Sequence, residues 1–107
     1  MKVKDLLNYG FELVCGDENR GISGCYIGDL LSLAMSRVVK DNVWITIQSN
    51  INIVAVASLA DAGCIVICDG FSPDAGVCER AEMQDVTILK TELSAYDAAK
   101  VLAGNNV

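Results

Sequence analysis

Residues Val43–Cys68 read VWITIQSNINIVAVASLADAGCIVIC, and this stretch decides the fold. The apolar VWITI at Val43–Ile47 predicts a strand, Ile51–Ala62 predicts a helix, and CIVIC at Cys64–Cys68 predicts a second strand that is buried on both faces. A strand, a helix and a strand in this order form a parallel unit with a right-handed crossover. Because polar residues follow both strands, we expect a binding site at their carboxyl ends.

The alternation of strands and helices continues on both sides of this unit. Turn and cap residues predict further helices at Val3–Tyr9, from an Asp29 N-cap to near Lys40-Asp41-Asn42, from a Ser72 N-cap with Pro73 in the first turn, and from Ser94 to Gly104. Further strands are predicted at Phe11–Val14, Ile22–Ile27 and Val86–Leu89. The expected fold class is α/β, a three-layer α/β/α sandwich with a mostly parallel sheet of about five strands.

Composition predicts the number of domains and argues against some classes of partner. A chain of 107 residues with 52% hydrophobic content predicts one domain over residues 1–107. The net charge of −6, with eight scattered Lys and Arg, argues against nucleic-acid and anionic-membrane partners. No apolar run approaches the roughly 20 residues of a spanning helix. The N-terminus carries Asp5 and Asn8 where a signal peptide is apolar, so we expect a cytoplasmic location.

The chain lacks the residues of common catalytic and cofactor sites. It has no histidine, which removes the usual general base and the Ser-His-Asp triad. It has neither a GxxxxGK[ST] phosphate loop nor a GxGxxG motif after a strand. We therefore expect a protein that is not an enzyme and has no cofactor and no resident metal.

The five cysteines offer a competing interpretation. Cys64 and Cys68 are four residues apart in a predicted strand and therefore share a face, with Cys25 on another strand. A cysteine-based redox or metal site is the third hypothesis for this chain. Against it, these cysteines lie inside apolar runs, where Cys behaves as a small hydrophobic residue, and reduced thiols are expected.

Polar residues and glycines at the predicted strand ends are the candidate ligand-binding residues, and a lone arginine joins them. Asp29 and Asn50 also suit helix caps, and Asp69-Gly70 is a common turn pair. An arginine in an acidic loop suits either a ligand phosphate or an internal ion pair with Glu18 or Asp29. The candidate set comprises Arg20, Gly28, Asp29, Gln48, Ser49, Asn50, Asp69 and Thr91.

The helix predicted after the first central strand is apolar around most of its circumference. In a small domain such a helix has one face on the sheet, so its outer face needs another cover. We therefore expect a homodimer, unless part of the segment belongs to the sheet. The interface residues predicted on this basis are Ile51, Ile53, Val54, Val56 and Leu59.

Three segments carry a resemblance to a known family. The motif NRGISGCYIGD at Asn19–Asp29, together with TIQSNINIVAVASL from Thr46 and TELSAYD from Thr91, resembles the DRTGG-domain family over nearly the whole chain. Arg20, Gly24 and Gly28 match the Arg and two Gly of that family's signature. The chain departs from the signature with Asn19 in place of Asp and Ser23 in place of Thr.

The resemblance implies a fold similar to the N-terminal domain of HPr kinase/phosphorylase, without catalytic activity. It also implies a dimeric regulatory or sensor module with a small adenine-nucleotide-like ligand. Family members occur beside CBS domains in regulatory pyrophosphatases and as free-standing proteins, which this chain resembles. The alternative function is an interaction or accessory subunit without its own ligand, for example of a hydrogenase-associated system.

Overall fold

The computed structural model describes residues 1–107, with one sheet and helices on both of its faces. The helices are α1 (Val3–Leu6), which a 3₁₀ turn at Leu7–Tyr9 continues, α2 (Leu31–Arg37), α3 (Asn52–Ala60), α4 (Val77–Met83) and α5 (Ala95–Gly104). The strands are β1 (Phe11–Cys15), β2 (Cys25–Ile27), β3 (Val43–Thr46), β4 (Cys64–Ile67) and β5 (Ile88–Thr91). None of the helices is both long enough and apolar enough to cross a bilayer.

The sheet has the strand order β1-β5-β4-β3-β2. Strands β2 to β5 are parallel, and β1 pairs with β5 in the antiparallel direction. The CIVIC segment forms β4 in the middle of the sheet, and all four of its residues are buried. This confirms the mostly parallel five-strand sheet that the apolar runs predict.

Side-chain alternation along the strands divides the core into two layers. Trp44, Ile65 and Ile88 face α2, α3 and α4 on one side of the sheet. Val43 and Val66 face α1 and α5 on the other side. A strand that is buried on both faces needs helices on both faces, so the three-layer α/β/α sandwich is confirmed.

Helix α3 owes its apolar circumference to its place between two other helices. It contacts α2 on one flank and α4 on the other, while its inner face lies on the sheet. Ile53, Val54 and Val56 are buried within a single copy of the chain, so they are not available to a partner. The predicted interface is corrected accordingly, because only Ile51, 43% exposed, and Leu59, 75% exposed, remain at the surface.

Three local predictions at helix and strand ends are wrong. Asp29 does not cap α2, because its carboxylate bonds to the end of β3 instead. Helix α4 begins only at Val77, so Ser72 and Pro73 belong to the preceding loop. Strand β2 is shorter than predicted because Ile22 bonds to the N-terminal segment, its amide donating to the Met1 carbonyl at 2.9 Å.

The N-cap of the last helix is confirmed. The Ser94 hydroxyl accepts a hydrogen bond from the Asp97 amide at 3.1 Å, which satisfies a donor of the first turn of α5. The first helix and strand also lie where their patterns place them, at Val3–Leu6 and Phe11–Cys15.

Gly24 is required where the chain enters β2. Its φ is +77°, in the left-handed region, and a Cβ at this position would lie 2.8 Å from Asn42 Nδ2. Asn42 cannot move away easily, because its Nδ2 donates to the Ser23 carbonyl at 3.0 Å and its Oδ1 accepts from the Val39 amide at 3.0 Å. Gly24 therefore has a structural role, because it lets the loop before β2 pack against the turn before β3.

We predict that Gly24→Ala lowers the free energy of unfolding by about 1–3 kcal/mol, because it combines a left-handed φ with a close contact. Urea denaturation monitored by circular dichroism measures the change. Gly21→Ala is the matched control in the same loop, since a Cβ on Gly21 would meet no atom within 4 Å and the φ of Gly21 is not left-handed. Equal losses in the two variants would contradict the assignment.

Candidate functional site

The parallel strands β2 to β5 end at one edge of the sheet, which we call the carboxyl edge. Because these strands are neighbours in register, the segments that leave them lie side by side. The structure brings seven of the eight predicted ligand-binding residues to this edge. They are Gly28 and Asp29 after β2, Gln48, Ser49 and Asn50 after β3, Asp69 after β4, and Thr91 at the end of β5.

A hydrogen-bond network joins the ends of β2 and β3. Asp29 Oδ1 accepts from the Thr46 hydroxyl at 2.8 Å and from the Ile47 amide at 2.9 Å. The Gln48 side-chain amide donates to the Asp29 carbonyl at 2.9 Å and accepts from Asn50 Nδ2 at 2.8 Å. Asn50 Oδ1 then accepts from the Asn52 amide at 2.9 Å, at the start of α3. These side chains hold the edge in one geometry.

Ser49 and Thr91 are engaged with other parts of the chain. The Ser49 hydroxyl donates to Asp74 Oδ1 at 2.9 Å, which attaches the loop before α4. The Thr91 hydroxyl donates to the Gly10 carbonyl at 2.8 Å and accepts from the Leu93 amide at 3.2 Å. Thr91 is also buried, so its hydroxyl supports the edge from within.

Asp69 forms the turn that leaves the central strand. Its φ is +59°, and the next residue, Gly70, has a φ of +77°. The Asp69 amide donates to the Leu93 carbonyl at 2.8 Å, and the Gly70 amide donates to the Thr91 carbonyl at 3.0 Å. The turn therefore crosses from β4 to the end of β5, with the Asp69 carboxylate beside the Cys68 thiol at 3.6 Å.

The Cys68 thiol lies near two carboxylates at the centre of the carboxyl edge. Burial raises the pKa of Cys68 to about 11, and the neighbouring Asp69 and Asp29 carboxylates add to the increase. The thiol therefore stays protonated at neutral pH. Two carboxylates that act on the same thiol make this part of the edge negative.

A cleft of about 100 Å³ opens between β5, β1 and the turn after β4. Phe71, 52% exposed, presents an aromatic ring beside it. Lys90 provides the one cationic group of its lining and pairs with Glu12 at 3.3 Å. The full lining comprises Gly10, Glu12, Gly70, Phe71, Lys90, Thr91 and Glu92. The sequence pattern missed Phe71 and Lys90, because one lies in a loop and the other inside a strand.

Arg20 is the predicted site residue that the structure places elsewhere. It lies at the opposite, amino edge of the parallel strands, where its Nη2 donates to Asp41 Oδ1 at 2.9 Å and Asp61 Oδ1 at 3.2 Å. Asp41 precedes β3 and Asp61 precedes β4. The guanidinium therefore ties together two turns of the fold, and its partners are neither Glu18 nor Asp29.

A larger cavity of about 590 Å³ lies beside Arg20 at the amino edge. Its lining includes the carboxyl side chains Asp17, Glu82 and Asp85, with Arg20 as the one cationic group. Since Arg20 is already paired with two carboxylates, the charge of this cavity opposes an anionic ligand. The smaller cleft at the carboxyl edge differs from this cavity in its exposed aromatic ring, Phe71, against which a flat ring can stack.

Cys64 and Cys68 share the face of the sheet that packs against α1 and α5, as their spacing predicts. Both are buried, and burial raises the pKa of the Cys64 thiol far above its usual range. No group of three or more Cys, Asp or Glu side chains is arranged to hold a metal ion.

The fold defines a class: the chain is a small three-layer α/β sandwich with a polar carboxyl edge. The DRTGG-domain family matches residues 9–104, so the chain belongs to the DRTGG domain family. The comparison with curated proteins found no match.

A solved structure similar to this chain contains the CBS and DRTGG domains of the regulatory region of Clostridium perfringens pyrophosphatase, complexed with the activator diadenosine tetraphosphate. The TM-score is 0.72 at 14% sequence identity, and the match covers 94% of this chain. The chain spans 44% of the length of that regulatory region. At this identity the similarity shows the fold.

The buried thiols predict a loss of stability at alkaline pH. Burial raises the pKa of Cys15 to about 12 and that of Cys68 to about 11, from a usual value of 9.0. The unfolded chain therefore loses these protons first, and unfolding is favoured as the pH rises above 9. The contribution of the protonated thiols to stability is complete below pH 9 and declines between pH 9 and about 12.

Urea unfolding at a series of alkaline pH values measures this decline. In Cys68→Ala the free energy of unfolding is expected to decline less steeply with pH. The slope of stability against pH loses the contribution of about one proton, because one titrating thiol has been removed. An identical slope in the two proteins would contradict the raised pKa of Cys68.

Proposed function

We propose that this DRTGG domain is a non-catalytic regulatory or sensor module that binds an adenine-nucleotide-like ligand at the carboxyl edge of its sheet. The observation that carries the proposal is the cleft in which the exposed Phe71 ring, the Lys90 ammonium group and the Asp69-Gly70 turn meet. Family membership and the nucleotide activator of the pyrophosphatase regulatory region support it.

The chemistry of the cleft suits a nucleoside. An aromatic face such as Phe71 stacks on a base, and such stacking contributes about 1–3 kcal/mol in single-stranded nucleic-acid complexes. The Glu12 and Glu92 carboxylates are acceptors for ribose hydroxyls or for the exocyclic amine of adenine. A cleft of about 100 Å³ holds only part of a nucleotide, so the rest would extend over the turn after β4.

Charge predicts which nucleotides bind best. Lys90 faces Glu12 and Glu92 in the cleft, and the chain has a net charge of −6. Because each uncompensated phosphate adds repulsion, base and ribose contacts contribute most of the affinity. We therefore expect adenosine or AMP to bind more tightly than free ATP, with Mg²⁺ reducing the difference.

A thermal-shift screen with adenosine, AMP, ADP and ATP, each with and without Mg²⁺, tests this proposal. A ligand that binds only the folded state raises the melting temperature, by an amount equivalent to about 2.7 kcal/mol at 100 times its Kd. Phe71→Ala is expected to abolish the shift. Tyr96→Ala is the matched control, because Tyr96 is 71% exposed on α5 and lies outside the cleft lining.

Asp69→Ala tests the turn beside the cleft and is also expected to lose the shift. If none of the eight conditions changes the melting temperature of the wild-type protein, the ligand part of the proposal is wrong. A shift that survives in Phe71→Ala but not in Tyr96→Ala would place the site elsewhere.

A second function is an interaction or accessory subunit without its own ligand. Exposed apolar side chains at the carboxyl edge favour it, since such residues mark surfaces that contact a partner protein. They lie at or after the ends of β2, β3 and β4 and comprise Ile27, Leu30, Ile47, Ile51 and Phe71. A partner that binds wild-type protein and loses affinity for Ile47→Asp, while nucleotides have no effect, would favour this function over the sensor.

The homodimer stays a prediction, and the exposed part of α3 provides its test. Leu59→Glu is expected to convert a dimer to a monomer, since a carboxylate opposes burial in an apolar interface. Sedimentation equilibrium measures the mass. Met83→Glu is the matched control, because Met83 is 80% exposed on α4 and is not a predicted interface residue. A dimer that persists in Leu59→Glu would contradict an interface through α3.

The similarity to the N-terminal domain of HPr kinase/phosphorylase and the cytoplasmic location also stay predictions.

A further inference from the structure

Glu12 and Lys90 form an ion pair inside the cleft at the carboxyl edge. Glu12 on β1 and Lys90 on β5 are directly opposite each other in the antiparallel register. Glu12 Oε2 lies 3.3 Å from Lys90 Nζ, and both residues line the cleft. Because opposite residues of an antiparallel pair present their side chains on the same face of the sheet, the strand register itself holds the two charges together.

Lys90 also contacts the chain on the other side of β5. Its ammonium group donates to the Ser72 hydroxyl at 3.4 Å, in the loop that follows β4. The ammonium group therefore has one partner from each neighbour of β5, and the partner from β1 is a carboxylate. A phosphate that approaches Lys90 meets a positive charge that Glu12 already offsets.

The remaining charge of the cleft lining is negative. Glu92 supplies the second carboxylate of the lining, and a Cβ on Gly70 would overlap this carboxylate group. Glu92 forms no salt bridge, since Lys90 pairs with Glu12. A nucleoside without a phosphate meets no charge repulsion in this lining, whereas a phosphate does.

We propose that Glu12 determines the class of ligand that the cleft accepts, because it offsets the charge of Lys90 and so selects an unphosphorylated nucleoside over its monophosphate. This role rests on the function proposed above and names the ligand class of the same cleft. Glu12 acts on the phosphate through Lys90, so its effect on specificity depends on the ammonium group.

Removal of the Glu12 charge frees Lys90 for a phosphate. In Glu12→Gln the side chain keeps an oxygen that accepts hydrogen bonds from ribose or adenine, and it loses the negative charge. A phosphate monoester carries about −1.5 to −2 charges at neutral pH, so the change acts on AMP much more than on adenosine. One unit charge at about 4 Å in water changes an affinity about fivefold, and we expect about tenfold for AMP relative to adenosine.

Isothermal titration calorimetry of the full chain with adenosine and with AMP measures the two Kd values. For the wild-type protein, adenosine is expected to have the lower Kd. In Glu12→Gln the ratio of the AMP Kd to the adenosine Kd is expected to fall by about tenfold. This change is expected to fade near 1 M salt, where the Debye length is about 3 Å.

Two further variants show whether the effect belongs to the ion pair. Glu18→Gln is the matched control, because it makes the same chemical change and the same change of net charge at an exposed residue outside the cleft lining. Its ratio of Kd values is expected to equal that of the wild-type protein. The double variant Glu12→Gln/Lys90→Gln is expected to lose the gain for AMP, since no ammonium group remains to bind the phosphate. Thermal melting of each variant checks that it is folded.

The outcomes separate the role of Glu12 from the function of the cleft. If neither adenosine nor AMP binds the wild-type protein, the function proposed for the cleft is wrong, and the role of Glu12 is wrong with it. If adenosine binds and Phe71→Ala abolishes that binding, an unchanged ratio of Kd values in Glu12→Gln overturns the role of Glu12 alone. An equal change of the ratio in Glu18→Gln, or tighter binding of AMP than of adenosine to the wild-type protein, also overturns it.

Discussion

Burial of the central strands on both faces is the constraint on which the rest of the structure depends. Each residue of β3 and β4 is buried, so each face of the sheet must be covered by helices. A connection that places a helix over the sheet returns the chain in the parallel direction. The strands therefore end at one common edge, and the candidate site exists because of that arrangement.

The two edges of the sheet have different roles. At the amino edge, Arg20 connects the turns before β3 and β4, and Gly24 packs against Asn42 in the first of these turns. These residues of the family signature are occupied with contacts inside the chain. The carboxyl edge instead exposes the Phe71 ring, a lysine and several carboxylates. Gly28, the third matching residue of the signature, lies instead at the carboxyl edge after β2.

Two local irregularities, a left-handed turn and a β-bulge, change which parts of the chain neighbouring side chains contact. The left-handed turn at Asp69-Gly70 carries the chain from β4 across to the end of β5 and so forms one wall of the cleft. The bulge at Val14 moves Cys15 from one core layer to the other. In both cases one or two residues change what a neighbouring side chain can contact.

The sequence by itself determined the fold class, because long apolar runs, caps and glycines act over short distances. The Val43–Cys68 unit, the Ser94 cap and the seven strand-end residues could be predicted from local patterns. Only the tertiary structure decided what surrounds each residue. It covered Ile53, Val54 and Val56 with neighbouring helices and paired Arg20 with Asp41 and Asp61. It also brought Phe71 and Lys90 to one cleft, because contacts between distant segments depend on strand order and helix packing rather than on local periodicity.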